Sequence, residues 1–468
     1  MSRFSLIYIG IFSLIISIFS FLNIIYSNYF NLYLNIDSYI YSLIGSFFFC
    51  LIFLIKKKNE IKVTVYEKIT IVILGYIILP IFISIPYYFS IYDITFINAY
   101  FEAVSGFTST GFSIFENIKH LDESLILWRS SSQWIGGLYF LFSIILLIDI
   151  FDDNLKKNLT NFLSFNTSET LKQSFKILIL YSILTFGIFL ILNISGIRTF
   201  NSFNLSMTVI SSGGFIPTNN LDNILNTKIK EIIFSLSMLI SFFSLFLSYN
   251  LLTIKKKNNI FFQEDFYLFV YFCFLIILLF LLTNKSHEFG NIFLSLCSSI
   301  SNIGVSLNES YQDISFLFLL ITIIGGSFFS TSSGIRFVKI YLLFKFSINE
   351  LLSHTKPLNV YINKLEFSKS IFNYNDINKY FISVLIFILS LLLLSSILTI
   401  SGINLESSFK LSILTIMNTV NSNIHGLNEF NFEELHYLTK YFLIIFMIIG
   451  RVELLTLLII IKKFLFKN

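Results

Sequence analysis

Four stretches of the 468-residue chain place small hydroxyl or amide side chains just before a glycine. They read Ser-Gly-Phe-Thr-Ser-Thr-Gly-Phe-Ser (105–113), Val-Ile-Ser-Ser-Gly-Gly-Phe-Ile (209–216), Ser-Ile-Ser-Asn-Ile-Gly-Val-Ser (299–306) and Thr-Val-Asn-Ser-Asn-Ile-His-Gly-Leu (419–427). The glycines are Gly111, Gly214, Gly304 and Gly426, spaced by 103, 90 and 122 residues. Each belongs to a short apolar segment, at about 96–107, 200–211, 290–301 and 407–420. Such segments are too short to cross a hydrocarbon layer of ~30 Å and too apolar for ordinary loops, so they read as re-entrant helices or buried connectors. A half-helix ending inside a membrane aims its negative dipole end at the centre, and four together favour a cation there. Extended residues beyond the helix end can offer carbonyls in place of a cation's hydration shell. Glycine adopts positive φ, which lets successive carbonyls point one way. The candidate cation-binding residues are Ser109, Thr110, Gly111, Ser212, Gly213, Gly214, Asn302, Ile303, Gly304, Asn423, Ile424, His425 and Gly426. The register of the fourth set is open by one or two residues, with Ile424 competing for the glycine position. One Gly in a Ser-rich loop is a common accident; four at one place in a repeated unit are not.

The composition says what kind of chain carries them. Hydrophobic residues make up 55%, charged residues only 13% and aromatics 18%, with 58 Phe and a mean hydropathy of +0.80. A soluble chain carries roughly a quarter charged residues. A soluble enzyme, a nucleic-acid binder and a disordered chain are all excluded on that ground. The formal charge of +5 is scattered through short loops. Cys50, Cys273 and Cys297 form no CxxC motif, so neither a metal site nor a disulfide framework is implied.

A spanning helix needs about 20 mostly apolar residues. Ten runs qualify: 4–26, 38–55, 69–91, 125–150, 176–195, 229–252, 266–283, 314–344, 378–400 and 437–461. The first lacks a small-residue cleavage site and reads as a retained helix. After the first two, the order is long, short, long, four times. With the N-terminus inside, the inner loops hold 23 Lys and Arg and the outer loops five. The positive-inside rule then places both termini in the cytoplasm and lets all four short segments enter from outside. The expected architecture is an all-α integral membrane protein with ten transmembrane helices. Its units are a two-helix extension (1–66) and four helix–pore-loop–helix repeats (67–157, 158–260, 261–350 and 351–468).

At this point the sequence resembles a known family, the membrane subunit of Trk-type potassium uptake systems, in the superfamily that also holds the Ktr and plant HKT transporters. The carriers are Ala99-Tyr-Phe-Glu-Ala-Val-Ser-Gly-Phe-Thr-Ser-Thr-Gly111, Gln133-Trp-Ile-Gly-Gly137, Ser212-Gly-Gly-Phe215, Gly325-Gly-Ser-Phe-Phe-Ser-Thr-Ser-Ser-Gly-Ile-Arg336 and Gly450-Arg-Val-Glu-Leu-Leu-Thr456. The first two helices resemble the extra pair of the TrkH/TrkG branch. The resemblance implies a pseudo-fourfold pore built from one chain and potassium as the permeating ion at filter carbonyls. It also implies a homodimer in the bacterial inner membrane and a cytoplasmic nucleotide-binding regulatory partner. Glycine at the first filter position goes with potassium over sodium in plant relatives, and Gly111 fits that. No cofactor is implied in this chain, which lacks both a P-loop and a Gly-x-Gly-x-x-Gly turn.

The run 314–344 would measure roughly 46 Å as one helix, longer than a bilayer core. Gly325, Gly326, Ser327, Ser330, Thr331 and Gly334 lower its helix propensity, so a break is expected there. The resemblance makes this segment an intramembrane gating loop, although Phe328 and Phe329 are bulkier than the family pattern. Arg451 lies deep in the last apolar run, where a charge faces the protein interior. It reads as a donor to the carbonyls of that loop. Trp128 and Arg129 read as interface anchors at a helix end. Lys56–Lys58 and Lys255–Lys257 read as topology determinants. A polytopic membrane enzyme would need clustered Asp, Glu or His within the helices, which offer almost none. The remaining alternatives are a sodium-permeable or weakly selective relative, and a degenerate subunit that does not conduct.

Overall fold

The computed structural model describes residues 6–54, 64–151, 170–245, 260–282, 289–307, 314–355, 366–367, 370–371, 374–427 and 430–452. Helices α1 (Ile7–Tyr29) and α2 (Ile36–Leu54) pack against each other as a pair. The first unit follows as α3 (Val65–Ser90), the short α4 (Phe96–Phe107) and α5 (Glu123–Phe151). The second is α6 (Thr170–Ile194), short α7 (Thr199–Ile210) and α8 (Lys228–Phe242). The third is α9 (Ile260–Leu282), short α10 (Phe289–Ile300), then α11 (Ser315–Ile323) and α12 (Phe337–Thr355). The fourth is α13 (Tyr374–Ile400), short α14 (Leu405–Ile416) and α15 (Tyr437–Val452). The protein is all-α: its strands are two-residue pairs, β1 (Ile324–Gly325) beside β2 (Ile335–Arg336), and β3 (Glu366–Phe367) beside β4 (Ser370–Ile371).

Seven of the described helices are long and apolar enough to cross a membrane, which makes this a multi-pass membrane protein. They answer to seven of the ten runs read from the sequence. The other three differ in instructive ways. In run 229–252 the helix breaks after Phe242, with Phe243 and Ser244 non-helical before Leu245, and the residues beyond Leu245 lie outside the described set. Run 437–461 is described to Val452. Run 314–344 is broken, as its glycines and serines dictate: α11 stops at Ile323 and helix resumes at Phe337. The Lys56–Lys58 and Lys255–Lys257 clusters lie outside the described residues.

Local chemistry explains the helices. Thr64 caps α3 with Glu67 in a reciprocal capping box. Thr95 caps α4 through the Asn98 N–H. Many of the serines satisfy their hydroxyls within their own helix. Ser13, Ser20 and Ser46, for example, return their hydrogen bonds to carbonyls three or four residues back. Helix α5 is at the centre: its membrane window is buried along its whole length. Gly136 and Gly137 in α5 let it lie against the ends of α4 and α7. A Cβ on Gly136 would stand 1.9 Å from the Phe107 carbonyl oxygen, and one on Gly137 would stand 2.9 Å from Ser211 Cα.

Candidate functional site

The four short helices are each 12 residues long, about 18 Å. Each ends in the same way. Two residues past the helix stands a residue with left-handed backbone that is not glycine: Ser109 (φ 55°), Ser212 (57°), Asn302 (59°) and Asn418 (49°). The next residue's N–H then reaches back to a carbonyl five residues earlier. These bonds are Thr110 to Ser105 (2.9 Å), Gly213 to Thr208 (2.8 Å), Ile303 to Ser298 (3.0 Å) and Thr419 to Leu414 (2.9 Å). This C-terminal cap satisfies the last helix carbonyls and throws the chain outward in one fixed direction. The residue after it is Gly111, Gly214, Gly304 or Val420.

Those four positions meet. A Cβ on Gly111 would lie 2.9 Å from Gly214 Cα and 3.0 Å from Val420 Cγ2. One on Gly304 would lie 2.7 Å from the Val420 carbonyl oxygen. The structure therefore brings Ser109–Gly111, Ser212–Gly214 and Asn302–Gly304 together, and completes the ring with Asn418–Val420. It does not bring Asn423, Ile424, His425 or Gly426 there. Asn423–His425 form a 3-10 turn ending in left-handed Gly426. A Cβ on Gly426 would face Ser315 Oγ and Lys410 Nζ instead. The sequence reading fixed on a glycine. The feature that recurs in all four units is the capped helix end, and in the fourth unit no glycine follows it.

Side chains stitch the turns to one another. Ser212 Oγ donates to the Ser301 carbonyl. Asn302 Nδ2 donates to Thr419 Oγ1 (3.2 Å) and to the Thr322 carbonyl (2.8 Å). Asn418 Nδ2 donates to Thr110 Oγ1 and to the Met447 carbonyl, both at 2.9 Å. The second turn is thus tied to the third, the third to the fourth and the fourth to the first. At the remaining seam, Ser109 Oγ has no partner among the described residues.

The first turn has an ionic brace. Glu102, on α4, is fully buried and accepts the Ile114 N–H at 2.9 Å. Arg129 Nε donates to Glu102 at 2.9 Å, and its Nη2 donates to Ser113 Oγ at 2.8 Å. The Arg129 guanidinium also lies 4.1 Å from the centre of the Phe215 ring, just past the second turn. Arg129 is therefore not an interface anchor. Trp128 is not one either: it is buried and donates to the Ile83 carbonyl. Both face the protein because α5 is central rather than lipid-facing. Gln133 on α5 accepts the Phe215 N–H at 3.3 Å.

The interrupted run holds the second group of candidates. Gly325 and Gly326 enter the loop, and the chain leaves it at Gly334 (φ 82°). Ser327 and Ser332 donate their N–H groups to the carbonyls of Phe242 and Ser241. These acceptors are free because α8 unwinds after Phe242. Arg336 is buried and wraps the loop, donating to the carbonyls of Ser327 (3.1 Å), Ser330 (3.4 Å) and Ser332 (3.0 Å). Glu264 on α9 accepts the Phe328 N–H at 2.7 Å. Thr331 Oγ1 donates at 2.7 Å to the carbonyl of Ile210, the last residue of α7. Arg451, buried on α15, donates through Nε to the Thr108 carbonyl and through Nη1 to the Thr331 carbonyl at 2.9 Å. One guanidinium thus joins the end of α4 to the loop. Thr331 and Arg451 place the loop directly beneath the converging turns. Arg336 stood inside a motif already singled out, yet its role as a staple depends on a fold-back that no spacing rule encodes. Glu264 carried no signal, standing two residues before the apolar run 266–283.

No family model matches the chain. In sequence it is similar to an uncharacterized cation transporter of Methanocaldococcus jannaschii, 26% identical over 98% of this chain and 94% of that one. It is also 24% identical to the Trk system potassium uptake protein TrkH of Escherichia coli, over 86% of each. The Trk system potassium uptake protein TrkG of Escherichia coli is 24% identical over 64% of this chain and 66% of its own length. In fold it matches the crystal structure of the potassium transporter TrkH from Vibrio parahaemolyticus, with a TM-score of 0.83, 19% identity and 98% of each chain covered. These relatives are transport proteins, not enzymes. The chain is accordingly a relative of the Trk-type potassium uptake membrane subunits, over most of its length in sequence and nearly all of it in fold.

Proposed function

We propose that this chain is the membrane subunit of a potassium uptake system and carries potassium between the four turns that begin at Ser109, Ser212, Asn302 and Asn418. The observation that carries the reading is the convergence of four identically capped helix ends on Gly111, Gly214, Gly304 and Val420. Helix C-termini bring negative dipole ends, and carbonyls in the extended turns replace water around the ion. In this reading Gly325–Arg336 is the gate, and Arg451 latches it while setting a positive charge below the filter. The chain resides in the bacterial inner membrane with both termini in the cytoplasm, as the 23-to-5 split of Lys and Arg favours. It works as a homodimer with a cytoplasmic nucleotide-binding regulatory subunit. The relatives named for the Trk system support that assembly.

The test is expression in a bacterium lacking its own potassium uptake, with the regulatory partner supplied. Growth at low external potassium is the expected result. Absence of rescue by a chain that reaches the membrane overturns the reading. A second reading, a weakly selective or poorly conducting relative, is favoured by Val420 alone.

A further inference from the structure

Three of the four converging positions are glycine, and the fourth is valine. Its side chain does not turn away from the other three. A Cβ on Gly214 would stand 2.4 Å from Val420 Cβ and 3.0 Å from its Cγ1. One on Gly304 would stand 2.9 Å from Cγ1, and one on Gly111 3.0 Å from Cγ2. The isopropyl group therefore fills the space that three missing side chains leave open.

The backbone allows this. Gly111 and Gly304 have φ of +80° and +78°, where a β-branched residue is strongly disfavoured. Gly214 and Val420 both lie outside that region. The first and third turns share a further brace, with Ser105 Oγ bonded to the Phe112 carbonyl and Ser298 Oγ to the Val305 carbonyl. The ring thus has twofold rather than fourfold character. Backbone dihedrals admit a side chain at Gly214 and at Val420, but a Cβ on Gly214 would stand 2.4 Å from Val420 Cβ and 2.9 Å from the Ile303 carbonyl oxygen, so the ring has room for one side chain and this sequence places it at Val420.

We infer that Val420 is the flux-determining residue of the ring, an apolar collar that a cation must displace to pass. This rests on the potassium-pathway reading. Valine offers no lone pair, and an apolar constriction resists wetting. Its χ1 is stiff, so the methyl groups do not swing aside at small cost. The turn itself is held at Asn418 and Thr419 by the cap and by two neighbours, so relief must come from the side chain or a local shift of Val420.

The test compares the full-length protein with V420G, V420A and V420I in proteoliposomes, reading 86-rubidium, potassium and sodium uptake. V420G is expected to raise potassium and rubidium flux roughly tenfold or more, about 1.4 kcal/mol off the barrier. V420A falls between, and V420I stays at or below the parent. The alanine variant keeps the comparison decisive if V420G inserts poorly. Equal potassium flux in parent, V420A and V420G overturns the collar and leaves the potassium reading standing. A rise confined to sodium upholds the collar and overturns potassium as the cargo. No cation flux in any inserted variant overturns both.

Discussion

Asn418 and Thr110 are 308 residues apart in sequence, and a 2.9 Å hydrogen bond from Nδ2 to Oγ1 joins them. It closes the fourth turn onto the first. The same Asn418 amide donates to the Met447 carbonyl on α15, so one side chain links two of the converging turns to that helix. Asn418→Ala removes both bonds and leaves a buried carbonyl without its donor. The expected loss is about 1–3 kcal/mol, read as a lower Tm in detergent. Asn418→Asp, which keeps the size and left-handed tolerance but loses the donor, should fail similarly. An unchanged Tm in both variants would show that the seam carries no stability.

The buried pair of Glu102 and Arg129 behaves differently when broken than when removed. Glu102→Gln strands the Arg129 charge and is expected to destabilise by about 3–5 kcal/mol. The double variant Glu102→Gln, Arg129→Met should recover part of that loss, because no buried charge remains. A double-mutant cycle on thermal stability reads the difference. Additivity of the two single losses would mean that the pair does not act as a unit.

Arg451 joins the loop to the end of α4 through Thr331 and Thr108. Arg451→Ala should free the loop and raise basal potassium flux severalfold in the absence of the regulatory partner. Arg451→Lys supplies charge without the fork that reaches two carbonyls, and should fall between. Unchanged flux in both variants would deny the latch.

The turn at Gly426 lies away from the ring, whereas Gly111 lies in it. Gly111→Ala forces a Cβ against Gly214 Cα and into a left-handed backbone, and should abolish uptake. Gly426→Ala meets the Ser315 side chain and the end of Lys410 rather than backbone, with strain of about 1 kcal/mol. It should keep most of the transport. Equal losses in the two variants would restore Gly426 to the pathway.

Much of this architecture was legible because membranes simplify the code. Long apolar runs and short apolar runs each answer to one physical constraint. The break near Gly325 was legible for the same reason, since a helix of that length does not fit the bilayer. Three of the four turns were found through glycine. The fourth was misplaced because Val420 carries no signature, and Gly426 stood six residues further on. Counting from the start of each short helix to an Asn or Ser two residues past its end would have found Asn418. Arg129 was misread because nothing in α5 marks it as the central helix; its Gly136 and Gly137 acquire meaning only against α4 and α7. Arg336 and Glu264 act across distances that the linear pattern does not hold.

The loop that crosses beneath the turns is bonded to a helix from another unit. Its Ser327 and Ser332 N–H groups occupy the last carbonyls of α8, which ends early to receive them. Any displacement of this loop orphans acceptors on α8 as well as its own donors. Such groups must find new partners inside an apolar medium, and the simplest source is further winding of α8 past Phe242. Loop and helix then behave as two ends of one zipper. A change of winding at Phe243 and Ser244 is therefore felt at the loop, although the two lie in different units of the chain.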